Sequence, residues 1–284
     1  TVSCASCHLP AKGFADPNRV SIGFKGQKGS RQAPTIINRA FSRSQFWDGR
    51  AATLEDQALM PITNPVEMAN PNINAVIRRL KKDKSYVEGF NLAFPDRPGI
   101  TEKNLSQAIA SFERTIFSGN SPFDHFVNGD KTAVSESAAR GYRLFLGKAN
   151  CAACHLSFNF SDEIFHNLGI GSQTKKPDPG HFAVTKVEGH QGAFKTPTLR
   201  ELTNTAPYMS DGSLKTLEEV IDYYDKGCQP NPWLSPKIKA LNLNPQEKAD
   251  LVEFLKSLTG EITWYGKSDN ANRASTSSAT QPRT

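Results

Sequence analysis

Cys4-Ala5-Ser6-Cys7-His8 and Cys151-Ala152-Ala153-Cys154-His155 are two copies of Cys-x-x-Cys-His in a chain of 284 residues that holds only five cysteines and six histidines. Two thiols separated by two residues, with an imidazole directly after them, suit covalent haem attachment. The sulfurs form thioether bonds to the porphyrin vinyl groups and the histidine becomes the proximal iron ligand. Other uses of these residue types fit less well. A zinc site would want paired cysteines with a second pair or with spaced histidines, and a thioredoxin-like redox motif has no need of the histidine, still less twice. The expected cofactors are two covalently attached haem c groups, one on Cys4, Cys7 and His8, the other on Cys151, Cys154 and His155.

Haem takes four of the five cysteines and leaves Cys228 alone, so no disulfide framework is expected. Thioether attachment is carried out on the exported side of a membrane, which places the protein in the periplasm or its equivalent. No run of about 18 apolar residues suggests a membrane span, and no signal peptide is visible. The chain opens three residues before Cys4, so further residues are expected ahead of Thr1. The formal charge of +6 and the pI near 9.0 favour acidic partners. Basic residues are not interleaved with aromatics and no nucleic-acid motif occurs, which excludes that class of partner. Hydrophobic residues make up 37%, a modest share that two buried porphyrins would supplement.

The elements that must position the haems repeat. Pro34-Thr35, Asp48-Gly49 and Thr53-Leu54-Glu55 return as Pro197-Thr198, Asp211-Gly212 and Thr216-Leu217-Glu218, all at one offset of 163. Each half therefore reads as haem motif, loop, Pro-Thr, Asp-Gly turn and a helix capped by Thr53 or Thr216. Spaced apolar residues predict further helices over 74–82, 101–118, 135–145 and 244–258. The fold class expected is mostly α, with two cytochrome c-like domains related by internal duplication and joined to long loops. The polar stretch 119–134 suggests a boundary, giving a first haem domain over 1–125 and a second over 126–266. From about Lys267 the composition turns to Ser, Thr, Asn and Ala, so 267–284 reads as a disordered or wrapping tail.

Further segments carry a resemblance. Phe46-Trp47-Asp48-Gly49-Arg50 and Asn64-Pro65-Val66-Glu67-Met68 lie in the first half. Gly147-Lys148-Ala149-Asn150, Thr196-Pro197-Thr198-Leu199-Arg200 and Ala206-Pro207-Tyr208-Met209 followed by Asp211-Gly212 lie in the second. With the two haem motifs, this set resembles the bacterial di-haem cytochrome c peroxidase family, which includes the MauG-type enzymes. The similarity runs from Val2 to about Thr259. It implies two all-α cytochrome c-like domains with a calcium ion between them, one haem being peroxidatic and the other relaying or storing electrons. The family normally has structure ahead of its first haem motif.

The resemblance also implies roles for single residues. In the family the residue matching Tyr224 is the sixth ligand of the second haem, usually Met, and Tyr in MauG-type members. Under the internal offset Tyr224 falls on Pro61, which has no group to ligate iron. His8 is thus expected to hold haem 1 with the opposite face free, and His155 with Tyr224 to hold haem 2. Met209 is an alternative ligand that falls on Phe46 in the repeat, and Tyr223 is a neighbour on another side of the helix. A phenolate lowers the iron potential where Met raises it. Glu67 and Gln57 match the family's distal pair, the carboxylate moving protons between the two peroxide oxygens. Trp47 matches the tryptophan between the haems. Gln32, Thr205 and Pro207 stand where the family binds calcium, with Gln32 in place of the usual Asn. No histidine lies between Leu9 and Asp124, where many family members carry a residue that caps haem 1. His125, His166, His181 and His190 are expected at the surface or against propionates.

These assignments describe a peroxidase that reduces hydrogen peroxide at haem 1, with electrons from a small cytochrome c or cupredoxin. An alternative is MauG-like oxidation of a protein side chain, which Tyr224 favours. Ala149 opposes it, because MauG carries a surface tryptophan at that position. A different class, a di-haem electron carrier without catalysis, would have both irons six-coordinate and little use for Glu67 or Gln57. A homodimer is compatible with any of these.

Overall fold

The structure, a computed structural model, describes residues 2–267; the tail expected over 267–284 lies, apart from Lys267, outside the described residues. The first half carries α1 (Leu54–Thr63), α2 (Ile73–Leu80), α3 (Lys84–Ala93), α4 (Glu102–Glu113) and strand β1 (Phe117–Gly119). After α5 (Pro122–Val127) come α6 (Glu136–Leu146), β2 (Phe165–Asn167), α7 (Phe182–Thr185), β3 (Ala193–Lys195), α8 (Leu217–Asp225), α9 (Pro245–Lys256) and β4 (Glu261–Thr263). The strands form two short antiparallel pairs, β1 with β4 and β2 with β3. The architecture is mostly helical, as the patterning predicts.

The two threonines expected as caps are caps. Thr53 Oγ1 accepts from Asp56 N at 3.1 Å and the Asp56 carboxylate returns a bond to Thr53 N, so two orphan amides are satisfied at the start of α1. Thr216 Oγ1 accepts from Glu219 N at 3.1 Å at the start of α8. Pro61 sits inside α1 at the helical position that Tyr224 occupies in α8.

Several elements differ from the sequence expectation. The helix expected over 101–118 stops at Glu113, and Phe117–Gly119 pairs instead with Glu261–Thr263. A turn over Arg114 and Thr115 ends the helix, the β-branched and fully buried Ile116 leads into the strand, and a distant partner strand decides its course. Helix α3 carries Gly89 and too short a run to stand out against loop. Helix α5 lies within the polar stretch read as a boundary, although Ser121, Pro122 and Asp124 form a capping box with proline at the first turn. Phe123 of α5 packs into the core of the second half.

That core is the larger one. Phe145, Phe254, Leu251, Leu255 and Leu258 pack where α6 crosses α9, and Ile221 and Leu217 of α8 join them. Gly141 makes the crossing close, because a Cβ there would lie 1.9 Å from the Asp250 carbonyl oxygen. In the first half, Ile77, Phe90, Ile100 and Leu105 bind α2, α3 and α4 together. A third cluster, Phe14, Ile37 and Ile116, is closed by Ile262 and Trp264 from the far end of the chain.

Candidate haem sites

Each Cys-x-x-Cys-His motif begins as a single 3-10 turn, Cys4–Ser6 or Cys151–Ala153. The turn brings the histidine amide back to the first cysteine carbonyl at 2.9 Å in both copies. His8 Nδ1 lies 3.1 Å from Phe14 O, and His155 Nδ1 lies 2.8 Å from Phe160 O. A carbonyl only accepts, so Nδ1 carries the proton in each ring and Nε2 keeps its lone pair for a metal. Burial pushes both imidazoles below their ordinary pKa, against the smaller opposing effect of those carbonyls, and keeps them neutral.

Beside the second motif lies a cavity of about 360 Å³ lined by Cys151, Cys154 and His155 on one side. Leu199, Leu217, Ile221, Leu251 and Leu255 supply apolar walls. Thiols, a free imidazole nitrogen and an apolar slot together fit a porphyrin. Tyr224 and Met209 both line this cavity. Tyr223 does not; its hydroxyl donates to Leu168 O at 2.7 Å, which removes it from competition. Burial, with the neighbouring cysteines adding to it, pushes the Tyr224 phenol well above its usual pKa, so without a cation beside it this phenol stays protonated.

The same cavity reaches the first half. Trp47 lines it and donates Nε1–H to Gln32 O at 2.9 Å. Gln32, Thr205 and Pro207 share this wall. The buried Gln32 side chain gives its Nε2 to Asp16 O at 3.1 Å, which leaves Oε1 as an acceptor. One amide oxygen and two backbone carbonyls are donors of the type a hard cation takes. All three residues singled out for calcium line this cavity.

Around the first motif, Glu67 lies in the loop after α1. Asn64 Nδ2 donates to its Oε1 at 2.9 Å, and the Phe24 amide lies between Val66 O and Glu67 O at 3.0 and 2.8 Å. Gly23 permits this approach; a Cβ there would stand 2.0 Å from Val66 O. Burial raises the Glu67 pKa, while Arg50 and Asn64 pull it back in part. Burial chiefly raises the Cys7 thiol pKa, and the carboxylates of Asp16 and Glu67 add to it, so Glu67 lies near the first motif. Gln57 and Pro61 are one helical turn apart on α1. Among the described residues the Gln57 side chain makes no hydrogen bond, so nothing in the structure joins it to Glu67.

Two residues at this site escaped the sequence reading. Gly23 is one of 20 glycines and only the contact with Val66 marks it. Glu113, at the end of α4, is buried near Cys4; burial raises its pKa to about 7 despite Arg39 and Arg114. Its place in the last turn of α4, about three turns after the Thr101 cap, gave no signal in the sequence.

The other histidines are less solitary than expected. His166 Nε2 pairs with Asp162 Oδ2 at 3.0 Å and lines the haem 2 cavity. His181 stacks on Phe165 with centroids 3.6 Å apart and gives Nδ1 to Asp48 O at 2.7 Å. His190 meets Thr185 Oγ1 at 2.9 Å. Cys154, Asp162 and His166 lie close enough to share a metal, but Cys154 is already committed to a thioether by its motif.

Two haem-attachment turns on helical scaffolds, with a cavity reaching from one half to the other, define a di-haem c-type cytochrome. The comparisons with known proteins agree. A family model for di-haem cytochrome c peroxidase matches residues 1–132, and one for cytochrome c matches residues 138–259. The methylamine utilization protein MauG of Methylorubrum extorquens is 42% identical over 263 residues, covering 92% of this chain and 73% of that one. The cytochrome c peroxidase Ccp of Escherichia coli is 36% identical, covering 93% of this chain and 55% of that one. A solved MauG-like protein associated with microbial copper homeostasis superposes with a TM-score of 0.83 at 35% identity, covering 92% of this chain and 84% of that one. The chain belongs to the di-haem cytochrome c peroxidase and MauG family, a family of haem c oxidoreductases. No helix among the described residues is long and apolar enough to cross a membrane.

Proposed function

We propose that the chain is a periplasmic di-haem peroxidase: His8 would hold the haem that reduces hydrogen peroxide, with no second side chain to ligate it, and His155 with Tyr224 would hold a second haem that shares the oxidising equivalents. The observation that carries this reading is the matched pair of helices. Pro61 in α1 takes the place that Tyr224 has in α8, so one half offers a sixth ligand where the other offers none. When bound, the haems supply the iron that takes up peroxide and the redox couples that pass electrons on.

The chain's own residues do the rest. Glu67, half-buried and held by Asn64, takes a proton at its carboxylate and returns it to the departing oxygen. Gln57, on the face of α1 that carries Pro61, orients peroxide or water by hydrogen bonding. Trp47, on the wall of the cavity and fixed by its bond to Gln32 O, relays electrons between halves. Gln32, Thr205 and Pro207 hold calcium beside it. Leu199, Leu251 and Leu255 exclude water from the second haem. The boundary expected at residues 125–126 falls inside α5, whose Phe123 packs on the second half, so the domains divide ahead of Ser121. A small cytochrome c or cupredoxin supplies the electrons.

A second reading, oxidation of a protein side chain, is favoured by one observation: Tyr224 rather than Met stands in α8. Spectroscopy of the oxidised protein, before and after one equivalent of hydrogen peroxide, tests the common core of both readings. One high-spin and one low-spin haem that react with peroxide at once support it. Two low-spin haems that stay inert until reduced would overturn it.

A further inference from the structure

Arg31-Gln32 and Trp47-Asp48 face each other as two dipeptides, and each residue of the first holds one residue of the second. Gln32 O accepts the Trp47 indole N–H at 2.9 Å, and Arg31 Nη1 donates to Asp48 Oδ2 at 2.6 Å. The other edge of the Arg31 guanidinium crosses to the second half, where Nε and Nη2 meet both carboxylate oxygens of Asp178 at 2.7 and 2.8 Å. The Arg31 side chain is 17% exposed and that of Asp48 is 6% exposed, so this is an inner strap and not a surface pair. Trp47 O in turn accepts from Lys195 N at 2.8 Å, so the backbone beside the indole is tied to the second half as well. A planar guanidinium with donors on two edges fixes direction as well as distance, which a single ammonium does not.

We propose that Arg31 is a positioning residue for electron transfer between the two haems, strapping Asp48 to Asp178 and so fixing the Trp47 indole in the orientation that relays. The inference rests on the reading of Trp47 as the relay. Peroxide takes two electrons and two protons to become two waters. The step Arg31 governs is the passage of one of those electrons from haem 2 to haem 1 past Trp47, with no bond made or broken there.

The test is stopped-flow spectroscopy of the holoprotein mixed with one equivalent of hydrogen peroxide, following the haem 1 and haem 2 Soret changes as separate phases. Trp47→Phe is expected to slow the haem 2 phase. Arg31→Met is expected to slow it by up to about a hundredfold, the scale on which an ångström of misplacement acts, while the haem 1 phase and both midpoint potentials stay as in the wild type. Arg31→Lys, keeping the charge without the fork, should fall between the two. A slow haem 2 phase in Trp47→Phe with an unchanged one in Arg31→Met would overturn the inference and leave the relay standing. An unchanged haem 2 phase in Trp47→Phe would remove the relay reading itself, and the inference with it. Asp178→Asn leaves the Arg31–Asp48 pair in place and weakens only the strap to the second half. It should slow the haem 2 phase in the same direction, and a wild-type rate would count against Arg31 even if Arg31→Met failed to fold.

Discussion

Arg200 and Asp124 meet across 76 residues of chain in two parallel hydrogen bonds of 2.6 and 2.8 Å, with the Arg200 side chain only 5% exposed. Arg200 also donates to Phe158 O, in the loop that carries the backbone carbonyl bonded to His155. One guanidinium thus joins α5 to the haem 2 loop.

Burial raises the Asp124 pKa, but the Arg200 and Ser121 bonds outweigh it and bring the carboxyl down to about 2. A folded pKa below the unfolded value means the pair's contribution is present above about pH 4, near the ordinary carboxylate value, and is lost as pH falls toward 2. Arg200→Met should cost about 3 kcal/mol at neutral pH, because it leaves a partly buried charge unpaired. Denaturant melts between pH 7 and pH 2 should show a shallower acid slope in the variant than in the wild type. Equal slopes would mean the pair is not linked to acid stability.

Glu67→Gln keeps the shape and the bond partner but cannot shuttle a proton. Peroxide turnover should fall by about a hundredfold or more, with the spectra of both haems intact. Since burial raises the Glu67 pKa, wild-type activity should decline on acidification above the ordinary glutamate value, and the variant should lack that limb. A retained limb would assign it to another group.

Glu113 gives the opposite sign to Asp124. Its folded pKa of about 7 lies above the ordinary value, so the folded state holds a proton between about pH 4.5 and 7 that the unfolded chain releases. Stability should therefore fall as pH rises through that window. Glu113→Gln should flatten the fall and raise the melting temperature relative to wild type at pH 8. A variant that melts lower at pH 8 would show that the ionised carboxylate has a partner worth keeping.

Tyr224→Met should raise the haem 2 midpoint potential and leave that haem six-coordinate, because a thioether favours the reduced iron where a phenolate does not. Tyr224→Phe should convert haem 2 to a form that binds carbon monoxide when reduced. If neither spectrum changes while Met209→Leu alters haem 2, the ligand is Met209.

Much of this was legible in the sequence because the haem motifs, the caps and the repeat are local patterns. Thr53 and Thr216 are caps because a hydroxyl before an apolar helix has an amide three residues on to bond, and spacing alone shows that. The offset between the halves likewise set Pro61 against Tyr224 before any coordinates did. What stayed hidden depends on contacts between distant segments. β1 exists because Glu261–Thr263 returns to pair with it, which no local signal announces. Gly23 matters because Val66 presses on it, and Glu113 is shifted because a helix end happens to be covered. Arg31 reads as one basic residue among 34 until Asp48 and Asp178 are seen on its two edges.

Proline at position 61 does more than leave out a ligand. It has no N–H, so in α1 it cannot close the usual bond to the carbonyl of Gln57, four residues earlier. Any replacement that offered a thioether or phenol there would also return that donor and let the helix tighten around it. Coordination and backbone shape are therefore coupled in a single codon.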